Sequence, residues 1–400
     1  MSKLVNERKH LLIISPDDVG TGRDGLAVYT RQMISALYEH ADVSLVVLGA
    51  KPDVDAGGPF SAIYLDARRS QLQARIKSLV SRSPAYVLEF DSTRILDAIE
   101  AIVSSNAVDK IVLNHRRAAW LAPRIARSKN ANLNRYPLVY VSHNAEERSL
   151  SSLAGMYAGP TMRRLALRES RKTGSMERQV VACCKTVTCI SEDDAVTMNL
   201  NEMEADVHII PASMSVKSDL SERPVNQPTI VLVGSMTWAP KRMNALWLVN
   251  SIFPRVRARI PDVRLIVAGS GASSLCEGVT EMDSIEFYEA PESLEPFFRR
   301  ADVFVVPERQ EGGLKIKTVE ASAYGLPIVS TAAGAAGSRL EHGVSVMIAD
   351  DEAEFANRIV GLLSDRNAAA ELGNRAREVV REYFDPEITA RGWRQALLSK

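Results

Sequence analysis

Residues 11–49 read LLIISPDDVGTGRDGLAVYTRQMISALYEHADVSLVVLG, and this stretch decides the fold class. The apolar run at 11–15 predicts a buried strand, residues 26–40 have the apolar spacing of a helix, and 43–49 predict a second strand. A polar, glycine-bearing loop at 16–25 joins the first strand to the helix. Because the strands are apolar throughout rather than alternating, the pattern predicts a parallel sheet covered by helices on both faces.

The same alternation continues along the chain and starts again after a polar, proline-bearing stretch at 221–228. Further strands are predicted at 110–115, 138–143, 186–191, 229–235, 263–271, 284–288, 303–307, 327–331 and 345–349. We therefore predict an α/β protein with two doubly wound, Rossmann-like domains whose strand ends face an inter-domain cleft. The predicted domains are residues 1–220 and 221–382, followed by a C-terminal helix at 383–400 that crosses back to the first domain.

The amino-acid composition argues against several classes of protein. The 400 residues are 46% hydrophobic and 24% charged, which is typical of a soluble globular chain. Lysine plus arginine equals aspartate plus glutamate at 49 each, so the net charge gives no support for nucleic-acid binding. No apolar run is long enough to span a membrane, and the polar start MSKLVNERKH predicts no signal peptide. We expect a cytoplasmic protein, and four cysteines without C-x-x-C spacing predict no zinc site.

The most informative motif is PERQEGGLKIKTVEASAYGLPIVSTAAGAAG at 307–337. A strand is predicted to end at its start, Gly312 and Gly313 form a loop, and a helix begins near Lys315. Backbone amides at a helix start can bind an anion where glycines leave room for it. Lys317 and Glu320 share a helix face, and a lysine for phosphate with a carboxylate for ribose suits a nucleoside diphosphate. An ordinary exposed Lys–Glu pair is the alternative.

The segment GGLKIKTVEASAYGLPIVST resembles the donor-site signature of family 4 glycosyltransferases of the GT-B fold. The stretches TIVLVGSMTWAPKRMNALWLVN, LEPFFRRADVFVVPERQEGG and FANRIVGLLSDRNAAAELGNRAREVVREYFD are similar to other parts of that family's C-terminal domain. In the first half, SPDDVGTGRDGLAVYTRQM is similar to its acceptor-side glycine loop and LVYVSHNAEERS to its central His-Asn element. The resemblance covers most of the chain, and it is stronger after residue 229.

The resemblance implies a retaining, hexosyltransferase-type enzyme that uses a UDP- or GDP-sugar and needs no metal or cofactor. Glu320 would hold the donor ribose, and Lys241 would reach the pyrophosphate, with Arg242 as its substitute. Residues 312–317 would face the diphosphate and sugar, and a glycine loop in each domain would approach the donor. The donor-side glycines, loop and helix-start residues are Gly22, Gly25, Gly269, Gly271, Gly312, Gly313, Leu314, Lys315, Ile316 and Lys317.

The pattern departs from the family at one position. Many members carry two glutamates with seven residues between them, and the place of the first is taken here by Gly312, with Glu311 one position away. The identity of the donor sugar is therefore not read from this position.

On the acceptor side, the resemblance places His143 near the reacting sugar, where its side chain or carbonyl would stabilise positive charge at the anomeric carbon. A histidine hydrogen-bonded at a strand end is the alternative. His115 ends a neighbouring strand and is a candidate for acceptor contact or for structure. Asn144 and Glu146 follow His143, and Glu146 or Glu147 would orient an acceptor hydroxyl unless both belong to a solvated helix start.

Basic residues cluster at 162–178, and they are Arg163, Arg164, Arg168, Arg171, Lys172 and Arg178. They predict either a surface for anionic lipid, and so a place at the inner face of the membrane, or a solvated helix face. Arg116 and Arg117 would extend this surface or bind an acidic acceptor.

The sequence thus predicts transfer of a sugar to a saccharide or lipid-linked acceptor, as in polysaccharide or glycolipid synthesis. A catalytically silent protein that binds nucleotide-sugar or scaffolds a polysaccharide assembly complex is the alternative. A nucleotide-sugar epimerase of the same fold has no supporting motif, and a nucleic-acid partner is not expected.

Overall fold

The computed structural model describes residues 8–16, 25–50, 61–157, 159–217, 227–279 and 283–399. The chain divides into two compact units, of which the first contains residues 1–213 with 387–400 and the second contains residues 214–386. The predicted boundaries after 220 and 382 fall a few residues from these limits. In the described residues, no helix combines the length and the hydropathy needed to cross a membrane.

The first unit is built on a parallel sheet of seven strands. They are β1 (Lys9–Ser15), β2 (Ala41–Val47), β3 (Ser61–Tyr64), β4 (Lys110–Asn114), β5 (Leu138–Val141), β6 (Thr186–Cys189) and β7 (Asp206–Ile209). Their order is β3-β2-β1-β4-β5-β6-β7, and every pairing is parallel. The order reverses between β1 and β4, where a doubly wound sheet opens a crevice at its carboxyl edge.

In the described part of the first unit, ten helices lie between these strands in the sequence. They are α1 (Gly25–Leu37), α2 (Gln71–Ser78), α3 (Ala85–Leu88), α4 (Ser92–Ser105), α5 (Arg116–Ala119), α6 (Ala122–Ala126), α7 (Ala131–Asn134), α8 (Glu146–Gly155), α9 (Pro160–Val181) and α10 (Glu192–Thr197). A 3-10 turn at Leu200–Glu202 precedes β7. Buried residues of the sheet and of its helices form one large core cluster that contains Trp120 and Tyr140.

The second unit repeats this plan with six parallel strands. They are β8 (Thr229–Val233), β9 (Arg264–Gly269), β10 (Ile285–Glu289), β11 (Val303–Val306), β12 (Ile328–Ser330) and β13 (Met347–Ile348). Their order is β10-β9-β8-β11-β12-β13, so the reversal lies between β8 and β11. On β8, Ile230 and Leu232 belong to one core cluster while Val231 and Val233 belong to another. Because successive side chains of a strand point to opposite faces, this sheet has a core on each side.

Among the residues described for the second unit, seven helices are present. They are α11 (Ala239–Trp247), α12 (Phe253–Arg257), α13 (Glu295–Arg300), α14 (Ile316–Ala323), α15 (Ala332–Ala335), α16 (Glu352–Ser364) and α17 (Arg366–Tyr383). A π turn at Leu248–Ile252 separates α11 from α12, and a 3-10 segment at Ser273–Gly278 follows β9. The prediction of two doubly wound, Rossmann-like domains is therefore confirmed.

The last helix, α18 (Pro386–Leu398), lies after the second unit in sequence, but its residues from 387 onward belong to the first unit. Trp393 is 1% exposed, and its ring lies 5.3 Å from that of Tyr29 on α1. The hydroxyl of Tyr29 in turn donates a hydrogen bond to the carbonyl of Ile210. The helix therefore completes the core of the first unit.

Candidate functional site

The glycine loop of the second unit follows β11 and lies at the carboxyl edge of the sheet. Gly312 and Gly313 have φ values of 99° and 64°, a region that favours glycine. The loop ends at Lys315, which caps α14 with its backbone, and its ammonium group donates to the carbonyl of Gly312 at 2.5 Å. Leu314 is buried and Ile316 is half-buried. The predicted strand, glycine loop and helix start are therefore present in that order.

Lys317 and Glu320 lie on the first turns of α14 and contact each other. The Lys317 Nζ lies 2.6 Å from the Glu320 Oε2, and both side chains are half-buried. Lys317 also lies 5.9 Å from the centre of the Phe298 ring. The spacing argument predicted a shared helix face, and the two side chains do share one.

Lys241 reaches the same edge from the loop and helix that follow β8. Its Nζ lies 3.4 Å from the Glu308 Oε1, and Glu308 stands on the loop that leads to the glycines. The Asn244 amide is buried; it donates to the Glu308 Oε2 at 3.0 Å and accepts from the Arg309 Nε at 3.2 Å. Lys241 therefore contacts the segment that leads to the glycine loop, across the point where the strand order reverses between β8 and β11.

Sequence reasoning missed Glu308, which pairs with Lys241; Asn244, which donates to Glu308; and Arg309, which donates to Asn244. The charged pair directly after β11, in PERQ, was the available signal. An open pocket of about 380 Å³ lies beside them and is lined by Trp247, Arg255, Arg309, Asp350, Asp351, Glu352 and Ala353.

The predicted Gly269 ends β9, and the predicted Gly271 lies in the loop that follows. A Cβ at Gly269 would lie 1.8 Å from the carbonyl oxygen of Gly234, so the backbones after β8 and β9 approach closely. The amides of Gly271 and Ser273 donate to the Glu289 carboxylate at 2.7 and 3.0 Å. These hydrogen bonds lower the pKa of Glu289. Glu289, at the end of β10, is a further residue that sequence reasoning missed.

Arg242 extends toward the same loop. Its guanidinium donates to the hydroxyl of Ser274 on the segment after β9. Lys241 and Arg242 are neighbours in sequence, yet one contacts the loop after β11 and the other the loop after β9. Arg242, the predicted substitute for Lys241, therefore contacts a different loop.

In the first unit, His143 follows β5 and is bound to Asn114, the last residue of β4. The His143 Nε2 lies 2.8 Å from the Asn114 Oδ1. The Asn114 amide nitrogen donates to the Ser15 Oγ at 3.3 Å and to the Thr30 Oγ1 at 2.8 Å, so its oxygen must be the acceptor. The proton of His143 is therefore on Nε2, and Nδ1 carries the lone pair.

Burial keeps both strand-end histidines neutral. Desolvation lowers the pKa of His143 to about 3. The pKa of His115 is lowered by burial first, then by His143, Arg116 and Arg117. The two rings meet edge to face at 5.3 Å, and His115 has a φ of 68°, which is rare outside glycine.

The three predicted acceptor-side residues lie together. The Glu146 Oε1 accepts from the Asn144 amide at 3.3 Å and lies 3.7 Å from the His115 Nε2. Its other oxygen forms an ion pair with Arg116. Glu147 instead pairs with Arg178 at 2.8 Å, so Glu146 is the one that contacts the histidine.

Glu177 is a buried acid beside this cluster that sequence reasoning missed. Its carboxylate accepts from the backbone amide of Glu146 at 3.3 Å. Burial, together with the Glu146 carboxylate, raises its pKa to about 8. Arg116 and Arg117 were predicted to extend a basic surface or bind an acceptor, but they pair with Glu146 and with Glu89 at 2.9 Å.

The remaining predicted residues are placed as follows. Gly22 lies outside the described residues, and Gly25 is the exposed first residue of α1. Of the basic cluster on α9, Arg163, Arg164 and Arg171 are exposed, whereas Lys172 pairs with Glu169 at 3.0 Å. Among the described residues, no group of three or more His, Cys, Asp or Glu side chains is arranged to hold a metal ion.

Known proteins resemble this chain in sequence and in fold. Residues 227–365 match the family model Glycosyl transferases group 1. The GDP-mannose-dependent alpha-(1-6)-phosphatidylinositol monomannoside mannosyltransferase of Mycobacterium tuberculosis is 28% identical over 38% of this chain and 43% of its own. The chain spans about half the length of the curated relatives it matches.

Solved structures agree over nearly the full length. The sucrose-phosphate synthase of Thermosynechococcus elongatus superposes with a TM-score of 0.75 at 18% identity, covering 97% of this chain and 98% of that one. The Anabaena protein HepE, in complex with UDP, gives a TM-score of 0.69 at 14% identity and covers 98% and 100%. The fold is that of the GT-B glycosyltransferases, which confirms the predicted resemblance, and the match to the Glycosyl transferases group 1 model lies within residues 227–365.

Proposed function

We propose that this protein is a retaining glycosyltransferase that moves a sugar from a UDP- or GDP-sugar to a saccharide or lipid-linked acceptor. One observation carries the proposal. Lys241, which follows β8, forms an ion pair with Glu308 on the segment between β11 and the Gly312–Gly313 loop, at the strand-order reversal of the unit that contains the family match. A ligand crevice in a doubly wound sheet lies at this reversal.

The proposed donor site contains charged side chains that ion pairs already hold in place. Lys241 is held by a single carboxylate at 3.4 Å, so an incoming diphosphate offers it a stronger counter-ion. The glycine loop lets phosphate oxygens approach the backbone, and the start of α14 favours negative charge. Glu320 binds the ribose hydroxyls and Lys317 holds the Glu320 carboxylate in place. The diphosphate charge is met by these groups without a metal ion.

Known proteins support a nucleoside diphosphate without selecting the base. HepE was solved with UDP, and the mycobacterial relative is named as GDP-mannose-dependent. Both bases therefore remain in the proposal.

In the transfer step, the bond between the anomeric carbon and the phosphate oxygen breaks and a bond to the acceptor oxygen forms. The acceptor proton moves to the leaving diphosphate, so no protein nucleophile is required. A neutral His143 presents its Nδ1 lone pair and its carbonyl dipole, which stabilise positive charge at the anomeric carbon. The Glu146 cluster orients the acceptor hydroxyl.

The proposed setting is the cytoplasm, at the inner face of the membrane when the acceptor is lipid-linked. The exposed cations Arg163, Arg164 and Arg171 on α9 support contact with anionic lipid.

The test is donor turnover by the full chain and by Glu320→Gln. The protein is incubated with UDP- and GDP-sugars and released nucleoside diphosphate is measured, alongside donor affinity by calorimetry. Glu320→Gln should weaken donor binding and lower turnover at least about a hundredfold with the melting temperature retained. Glu378→Gln, which breaks another i,i+3 ion pair in the same unit, is the matched control and should keep full activity.

Activity of Glu320→Gln within a factor of two of the parent would contradict the donor-site assignment. Donor binding without turnover, across saccharide and lipid-linked acceptors, would instead favour a catalytically silent protein.

A further inference from the structure

The helix α2 and the turn after it expose a row of large apolar side chains. Leu72 is 68% exposed, Ile76 58%, Leu79 49% and Val80 90%. Leu72 and Ile76 are four residues apart and therefore share one helix face. The buried residues of this helix are the small Ala74 and Ser78. A surface helix normally turns its larger apolar side chains toward the core, so this arrangement is reversed.

The same segment carries positive charge and no acidic residue. Residues 67–88 contain no aspartate or glutamate. Arg75 and Lys77 on α2 and Arg82 after it are all exposed. Exposed apolar side chains flanked by cations are typical of a helix that lies in the headgroup region of a membrane.

Helix α9 extends this surface, because its middle part is bonded to the end of α2. The Lys172 Nζ donates to the carbonyl of Ser78 at 2.7 Å, and Arg168 donates to the carbonyl of Leu79. Leu165, 38% exposed, is one helical turn before Arg168. The exposed Arg163 and Arg164 lie on the same turns of α9.

We propose that these residues form a docking surface for an anionic phospholipid bilayer. The α2–α9 surface is defined by Leu72, Ile76, Leu79, Val80, Arg75, Lys77, Arg82, Arg163, Arg164 and Arg171. The apolar side chains enter the boundary between headgroups and acyl chains, and the arginines and lysine meet lipid phosphates at the rim.

Charge favours a bilayer over a second copy of this chain. A two-fold contact through this surface would place the cations of one copy against those of the other. An anionic leaflet offers the opposite sign across the whole surface. The surface is also independent of the donor and acceptor residues, so the inference stands or falls separately from glycosyl transfer.

The experiment is co-sedimentation of the full chain with vesicles of equimolar phosphatidylglycerol and phosphatidylcholine, without any nucleotide-sugar or acceptor. We expect binding that weakens with salt and that is lost on vesicles of phosphatidylcholine alone. The variant Leu72→Gln/Ile76→Gln/Val80→Gln should bind at least about tenfold more weakly. These side chains are largely exposed, so the fold should persist, and the melting temperature and circular dichroism spectrum check that it does.

The matched control is Val344→Gln/Ile388→Gln, which removes two side chains that are 46% and 45% exposed elsewhere on the chain. It should bind vesicles like the parent. Absence of parent binding to the anionic vesicles, or equal binding by the apolar variant, would overturn the proposal. A concentration-dependent dimer in sedimentation velocity that the apolar variant loses would also overturn it, since a second copy would then be the occupant.

Discussion

At the scale of single residues, the first unit is marked by a histidine that burial keeps uncharged. His143 donates from Nε2 to Asn114, and its ring lies edge to face on Tyr29 at 4.9 Å. Because burial lowers the pKa of His143 to about 3, the ring is uncharged near neutral pH and holds no imidazolium proton to transfer. Its proposed role is therefore electrostatic, through the lone pair and the carbonyl.

The corresponding prediction concerns His143→Ala. Turnover should fall about a hundredfold, whereas donor affinity should change by less than about twofold, because the residue acts on the transition state. Steady-state kinetics and calorimetric donor titration separate the two effects. His208→Ala, on the edge strand β7 of the same unit, is the control. Equal losses of donor affinity and turnover would show that His143 does not act on the anomeric carbon in the transition state.

Glu177 gives a pH-dependent prediction. Its pKa is about 8 in the folded chain and 4.5 in the unfolded chain, so the folded state binds more protons between these values. The stability contributed by this group is present below about pH 4.5 and is lost as the pH rises to about 8. Glu177→Gln keeps an acceptor oxygen for the Glu146 amide but removes this dependence.

The melting temperature of Glu177→Gln, relative to the parent, should therefore rise by at least about 2 °C between pH 5 and pH 9. Thermal unfolding followed by circular dichroism across this range measures it. Glu202→Gln, on an exposed turn of the same unit, controls for the loss of one carboxylate. A constant difference between Glu177→Gln and the parent at all pH values would disprove the coupling.

The sequence indicated which loops carry the candidate site but not how its residues pair. Lys317 and Glu320 were found because spacing along one helix determines their contact. Lys241 and Glu308, or Arg116 and Glu146, come from separate elements and meet only when the sheet is assembled. No local pattern encodes such pairs, so Glu308, Asn244 and Glu177 were missed.

At the scale of elements, the central strands were predicted to within about two residues, because their continuous apolar runs have no counterpart in loops. The edge strands β3 and β7 were missed. Residues 206–209 of β7 are exposed or half-buried, so they carry no buried apolar signal. In the second unit, α11 and α12 are separated by the π turn at Leu248–Ile252, just before Pro254. Proline cannot donate an amide to the preceding turn, which explains the change of helix type there.

The packing of α17 against α14 gives a prediction at this scale. A Cβ added at Gly373 would lie 2.1 Å from the carbonyl of Gly325, which follows the helix that carries Lys317 and Glu320. Gly373→Ala should lower the free energy of unfolding by about 1–3 kcal/mol and weaken donor binding.

Gly361 in α16 is the matched control, because no atom lies within 4 Å of a Cβ placed there. Gly361→Ala should leave the protein as stable or more stable, by up to about 1 kcal/mol. Chemical denaturation of both variants tests this, and equal effects would contradict the close packing of α17.

At the scale of the whole molecule, the second unit is inserted within the sequence of the first. Residues 214–386 form a compact body of their own, while the segments on either side of them, 1–213 and 387–400, build the other. The core of the first unit is therefore completed by α18, which follows the second unit in sequence.

This insertion sets an order for synthesis. The ring of Tyr29 has no Trp393 to pack against until α18 leaves the ribosome. At about 5–20 residues per second, the inserted body is translated during the intervening tens of seconds. The second unit can therefore reach its native state first. Until α18 has been synthesised, part of the core of the first unit stays exposed to water and to chaperones.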